Sequence, residues 1–364
     1  MSKHSPSNER IKREYFSYLK EAKRQSDASV DAVAKALARF EIETQHRDFK
    51  FFHQQQAIAF KRKLADQDSK VTGGKLSKAT LHSTLSQLKC FFHWLAGQPG
   101  YKSRLQYSDA DYFNVSEKDA RIATARRQRL APTLEQVRHV ILTMPNVTEI
   151  ERRNRALVAF ILLTGARIKA VASVKLKHIN LTDNSFYQDA RQVETKFSKT
   201  FISYFFPVGD DIRQIVVNWV DYLRREKLWG NDDPVFPKTA MTINEGRRFE
   251  HVELERAHWA GTSPIRGVFQ EAFPASGLPY FHPHSLRTTL VQLGEKICQS
   301  PEAFKAWSQN LGHEGVLTTF YSYGQVAVAR QGEIIKNLGV TDSVGGLSKH
   351  DLLQMLAREL GSKL

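Results

Sequence analysis

The sequence predicts a mainly α-helical protein of two domains with one small antiparallel β-sheet, and three observations carry that expectation. The chain has 364 residues, more than one small core accommodates. Its first third repeats apolar side chains at helical spacing, with Lys, Arg and Glu between them. Two strand-like stretches around a short polar turn then interrupt an otherwise helical second half.

In the first domain, Ile11, Tyr15, Leu19 and Ala22 mark one helix, and Val30, Val33, Leu37 and Phe40 a second. A third is expected over 51–65. Gly73-Gly74 breaks the chain, and Ser77 stands as an N-cap for a helix with Leu81, Leu85, Leu88, Phe92 and Leu95 on one face. This all-helical domain is expected to cover 1–115. Segment 116–131 holds Arg121, Arg126, Arg127 and Arg129 with little apolar periodicity, which predicts a basic interdomain linker.

Thr133 with Gln136 has the spacing of a capping box and opens the second domain, expected over 132–340. A helix over 155–163 stops at Gly165, and 171–181 follows with shorter apolar spacing. Asp183-Asn184 signals a turn, and 186–195 with 200–206 predict two strands of a hairpin around 196–199. Ile212, Ile215, Val216, Trp219 and Leu223 form one amphipathic helix, stopped near Gly230. Further helices are expected over 264–273, 285–298, 301–311 and 325–337, with Ser300-Pro301 as a start signal. Val344-Gly345-Gly346 is a spacer before a last helix over 349–360, in a tail covering 341–364. Its Leu352, Met355, Leu356 and Leu360 need a surface to pack against.

Composition narrows the function. Lys and Arg total 53 against 38 Asp and Glu, a net charge of +15, as expected of a nucleic-acid binder. A membrane-surface protein would want an exposed basic amphipathic helix with a bulky apolar face, and none stands out. The N-terminus is polar and no apolar run approaches a membrane span, so the expectation is a cytoplasmic, DNA-associated protein. Cys90 and Cys298 form neither a disulfide framework nor a metal-ligand pattern.

Four segments place basic or hydroxyl side chains at the ends of elements. They are Thr164-Gly165-Ala166-Arg167, Thr195-Lys196-Phe197-Ser198-Lys199, His284-Ser285-Leu286-Arg287, and Leu311-Gly312-His313 followed by Thr318-Thr319-Phe320-Tyr321-Ser322-Tyr323. Singly each is a weak motif, since a lone Arg, Lys or His in such a setting is usually structural or solvated. In this order they closely resemble the tyrosine recombinase, or phage integrase, family. There an Arg after Thr-Gly, a Lys in a hairpin, a His-x-x-Arg, a Leu-Gly-His and a Tyr shortly downstream build one site. The resemblance runs in ordered detail from Pro132 to Tyr323, and more loosely over the helical domain, which resembles the family's core-binding domain. It implies a mixed α/β catalytic domain.

The resemblance also implies roles. Cleavage of a phosphodiester develops negative charge on the non-bridging oxygens, which the guanidiniums of Arg167 and Arg287 would grip. A tyrosine phenol would attack phosphorus and conserve the bond energy in a covalent intermediate, so neither ATP, metal nor any other cofactor is expected. Lys196 would protonate the leaving 5′-hydroxyl; Lys199 is its rival, and Lys196 is preferred because it directly follows the first strand. His284 would assist proton transfer at the phenol, and His313 would hydrogen-bond the scissile phosphate. A metal site at His282, His284 and His313 lacks a Cys or carboxylate to complete it.

Two positions depart from the family pattern. Three residues after the first Arg, where an acid is usual, stands Ala170. Nine residues after the Leu-Gly-His histidine, where the Tyr commonly lies, stands Ser322, flanked by Tyr321 and Tyr323. Tyr323 is preferred as nucleophile because Gly324 and a polar turn follow it, whereas Tyr321 continues the apolar pattern of Phe320.

Double-stranded DNA would be held by both domains, with Lys78, His82 and Lys89 facing a groove or phosphates and Arg126, Arg127 and Arg129 forming a strap. Solvated helix faces are the plain alternative for these residues. The resemblance further implies a homo-tetramer on paired recombination sites, with Leu352, Leu356 and Leu360 docking into a neighbouring subunit, and is compatible with accessory DNA-bending or directionality factors. A type IB topoisomerase, a telomere resolvase, and a DNA-binding protein of the same fold with impaired catalysis remain alternatives.

Overall fold

Caps explain where the first helices begin. In the computed structural model, which describes residues 5–69, 73–125, 130–195, 198–243 and 249–313, α1 (Pro6–Ser17) opens on a proline and runs into a π-turn over Tyr18–Ala22. Ser26 accepts from the Ser29 amide at the start of α2 (Asp27–Glu43), and Ser77 from the Thr80 amide at the start of α4 (Lys78–Ala96). Between them α3 spans Gln54–Asp66. The apolar stripes expected on α2 and α4 are buried throughout, as are Ile11, Tyr15 and Leu19; Ala22, at the end of its turn, is exposed.

Aromatic packing dominates this core. Phe40 of α2 meets Phe52, Phe60, Phe92 and Phe113 edge-on, and Phe52 stacks on Phe92 with ring centroids 4.0 Å apart. Asn8 is the polar pin: its amide donates to Glu41 and to the Arg47 carbonyl, and its carbonyl accepts from the Phe49 amide. Where a linker was expected over 116–131, the chain forms α5 (Glu117–Thr124). Ser116 caps it, acids occupy its first turn, and Arg121 pairs with Glu117 one turn back, so local charge makes a helix that apolar periodicity does not signal.

The chain divides into two units, Met1–Arg126 and Arg127–Leu364. The second is built around one buried helix. The expected capping box of Thr133 and Gln136 opens α6 (Leu134–Thr143), and another, of Thr148 and Glu151, opens α7 (Glu149–Thr164). Every residue over 156–164 is buried, so this half of α7 is covered on all sides and other elements pack about it. After α8 (Ile168–Ser173) come β1 (Ile179–Asn180), β2 (Ser185–Gln188) and β3 (Phe201–Tyr204), an antiparallel sheet in the order β1-β2-β3. Phe186 pairs with Ser203 and Tyr187 with Ile202.

The strands expected over 186–195 and 200–206 are shorter than that because Asp189 turns the chain. Its carboxylate accepts from the Arg191 amide and its carbonyl from the Gln192 and Val193 amides, which removes 189–193 from the ladder. α9 (Asp210–Asp221) continues into a π-turn over Tyr222–Glu226. An unexpected second hairpin follows, β4 (Lys238–Ile243) with β5 (Phe249–Glu255), its register shifted between Ala240 and Met241. Then come α10 (Ser263–Ala275), α11 (Ser285–Ile297) and α12 (Pro301–Asn310), close to their expected bounds. The helices expected over 325–337 and 349–360, and the tail 341–364, lie outside the described residues. Among the described residues no helix is long and apolar enough to cross a membrane.

Candidate active site

The C-terminus of α7 sets the first functional segment. The Thr164 hydroxyl donates to the Phe160 carbonyl at 2.7 Å and accepts from the Ala166 amide at 3.2 Å, fixing the turn out of the helix. Gly165 caps it in the left-handed region, with φ 61°. Only glycine fits there, since a Cβ would come within 2.6 Å of the Leu311 side chain. The turn delivers Arg167, half-buried, to the N-cap of α8.

Arg287 comes to the same place from the first turn of α11. It is only 2% exposed. One guanidinium nitrogen donates to the Gly165 carbonyl; another donates to the Leu311 carbonyl at 2.6 Å and to Nε2 of His313 at 3.0 Å. A guanidinium can only donate, so Nε2 of His313 is the acceptor and its proton resides on Nδ1. The Nε of Arg287 is buried without a partner, and among the described residues no carboxylate pairs with it. A buried guanidinium bonded to carbonyls and a ring nitrogen, with an unsatisfied Nε, favours an anion beside it.

His313 is 9% exposed and follows Gly312, whose φ is 70° and whose Cβ, if present, would lie 2.6 Å from the ring of Phe201 in β3. His284 occupies the N-cap of α11, and its amide donates to Nδ1 of His282 at 3.2 Å. Thr195 and Ser285 each bury a hydroxyl oxygen that has no partner. Together with the Arg287 Nε, they put unsatisfied polar atoms in two of the four segments singled out by sequence. Lys199 is half-buried; Lys196, Tyr321 and Tyr323 lie outside the described residues. Ala170, where the family has an acid, is 1% exposed and belongs to the core, so the helix face behind Arg167 is apolar. Among the described residues no group of three or more His, Cys, Asp or Glu is placed to hold a metal ion.

In the first unit, two of the three side chains expected to face DNA are engaged internally. Lys78 pairs with Asp119 at 2.9 Å, and Lys89 with Asp111 at 2.8 Å while also donating to Asn114. These lysines hold both carboxyls below the ordinary aspartate range. His82 is half-buried in a cavity that Lys61, Asn114 and Asp119 also line. Arg126, Arg127 and Arg129 lie outside the described residues.

Two residues went unnoticed in the sequence. Arg153, buried in α7, donates to the Pro237 carbonyl and the Thr239 hydroxyl and lies over the Trp259 ring, and burial pulls its pKa down to about 10. Asn310, the last residue of α12, bonds to the backbone of β3. No local pattern marks either one.

Residues 133–330 match the model of the phage integrase family. The tyrosine recombinase XerC of Lactobacillus delbrueckii subsp. bulgaricus is 22% identical over 317 residues, covering 85% of this chain and 92% of the relative. Among solved structures, a lambda integrase dimer bound to a COC′ core site shares the fold with a TM-score of 0.59 at 16% identity, over 90% of this chain and 81% of that one. XerH site-specific recombinase bound to palindromic difH substrate, a post-cleavage complex, shares it with a TM-score of 0.56 at 17% identity, over 92% and 90%. The Tn1549 transposon integrase in complex with transposon right end DNA does so with a TM-score of 0.56 at 12% identity, over 90% and 99%.

Proposed function

The chain belongs to the phage integrase family, as a tyrosine recombinase that breaks and rejoins DNA in site-specific recombination, and from that premise we propose how its own residues do so. The Tyr323 oxygen attacks the scissile phosphorus while its proton passes towards His284. The bond from phosphorus to the 5′-oxygen breaks, and Lys196 gives that oxygen a proton. A 3′-phosphotyrosyl link and a free 5′-hydroxyl result; attack by a 5′-hydroxyl from the partner duplex reverses the step and leads to a Holliday junction. Arg167 and Arg287 hold the non-bridging oxygens, and His313 hydrogen-bonds the phosphate.

The observation that supports this most is Arg287: a guanidinium 2% exposed, bonded to carbonyls and a neutral imidazole, with an unsatisfied Nε and no carboxylate among the described residues. Such a group is stabilised when a phosphate enters beside it. The substrate is a double-stranded recombination site, and the active assembly is a homo-tetramer on two sites, joined through the C-terminal helix. Lys78, His82, Lys89, Arg126, Arg127 and Arg129 bind its backbone, with Lys78 and Lys89 exchanging their aspartates for phosphates.

Covalent trapping on a nicked suicide substrate in EDTA tests the assignment. The expected result is an adduct with the unaltered protein and with Tyr321→Phe, and none with Tyr323→Phe. An adduct with Tyr323→Phe and none with Tyr321→Phe would move the nucleophile to Tyr321.

A further inference from the structure

We propose that Asn310 is a positioning residue for strand cleavage, clasping β3 so that the hairpin lysine and His313 approach the phosphate as one body. The inference rests on the proposed role of a lysine in the 195–199 segment as the acid for the 5′-oxygen. The Asn310 side chain accepts from the Tyr204 amide at 2.6 Å and donates to the Tyr204 carbonyl at 2.8 Å. It thus imitates a neighbouring strand with a single amide. Its own carbonyl accepts from the Ser203 hydroxyl at 2.9 Å, and that hydroxyl is in turn held by Gln188 of β2 at 2.8 Å. Both strands of the hairpin are therefore tied to the end of α12.

A second tie lies at the other end of β3. Phe201, two residues from Lys199, packs so closely against Gly312 that a Cβ there would be 2.6 Å from its ring. The two ties fall at Asn310 and Gly312; Leu311 lies between them and His313 follows, and both are bonded to Arg287. A shift of the hairpin root by a fraction of an ångström therefore displaces the lysine relative to the His313 turn, which Arg287 holds independently. Losing the clasp leaves the chemical groups in place and loosens the geometry on which the proton transfer depends.

The sensitive step is the one in which the 5′-oxygen leaves with a proton from the lysine. A substrate with sulfur in place of that oxygen separates this step from the rest, because a thiolate leaves without being protonated. We expect Asn310→Ala to cleave the ordinary nicked substrate about a hundredfold more slowly, and to cleave the 5′-bridging phosphorothiolate at the rate of the unaltered protein. Asn310→Asp, which keeps the acceptor for the Tyr204 amide and loses the donor, should fall between on the ordinary substrate and guards against a folding defect. Lys196→Ala and Lys199→Ala, run alongside, identify the acid, and sulfur should rescue one of them. Failure of sulfur to rescue either lysine variant would overturn the hairpin acid and this proposal with it. Rescue of a lysine variant, together with an Asn310→Ala defect equal on both substrates or absent on both, would overturn the clasp alone.

Discussion

Arg287 separates geometry from charge at a single side chain. Its fork reaches the Gly165 carbonyl, the Leu311 carbonyl and His313 at once, which an ammonium on a flexible stem cannot do. Arg287→Lys should therefore keep the net charge and still lose covalent adduct formation by a factor of about 10²–10³, the cost typical of removing a preorganised donor. Adduct formation within about tenfold of the unaltered protein would show that charge alone suffices there. Arg287 and His313 were legible because their motifs are contiguous words in the sequence. Asn310 was not: its partner, Tyr204, stands 106 residues earlier and contributes only backbone atoms, which carry no residue signature.

At the scale of elements, legibility followed the kind of signal. The helices with one apolar stripe were placed close to their true bounds, because a core-facing stripe has a period. α7 was read from 155 and begins at Glu149, since its first turn is charged and only the Thr148 and Glu151 capping box marks it. The β4–β5 hairpin went unread because Thr239, Thr242, Glu250, His251, Glu253 and Glu255 make both of its strands so polar that they resemble loop. The junction of α7 with α11 offers a test of how far fold and site coincide. Gly165→Ala forces a side chain into the left-handed region and against Leu311 and Leu290, and should destabilise the protein by about 1–3 kcal/mol in urea unfolding. An unchanged midpoint would show that the turn relaxes freely, and that Gly165 serves the site by some other route.

For the whole molecule, the net charge and the proposed assembly carry the predictions. A net charge of +15 gives long-range attraction to DNA that falls steeply with salt. The proposed strap adds a specific expectation. Replacing Arg126, Arg127 and Arg129 together by Ala should lower the slope of log affinity against log salt by about three, near one for each phosphate no longer neutralised. An unchanged slope would return those residues to a solvated surface. Truncation after Val344 should weaken pairing of two sites, measured by gel mobility of the synaptic complex, more than binding of one site; equal losses would argue against docking of the 349–360 segment into a neighbouring subunit. Length and the change of pattern after the first third are the sequence's grounds for expecting two domains, because domain size is limited by core growth. The tetramer belongs to the resemblance, since no intrachain periodicity encodes a partner.

The amide clasp on β3 also bears on solubility. Among the described residues β3 is the outer strand of its sheet, and the outward-facing amide and carbonyl of a free edge invite another chain to add a strand. Alternate residues point that way: the Phe205 amide turns inward to Asn184, while Tyr204 turns outward and meets Asn310. In a strand of four residues this leaves Ile202 as the one outward-facing residue inside the strand without a clasp among the described residues, too short an edge to template aggregation.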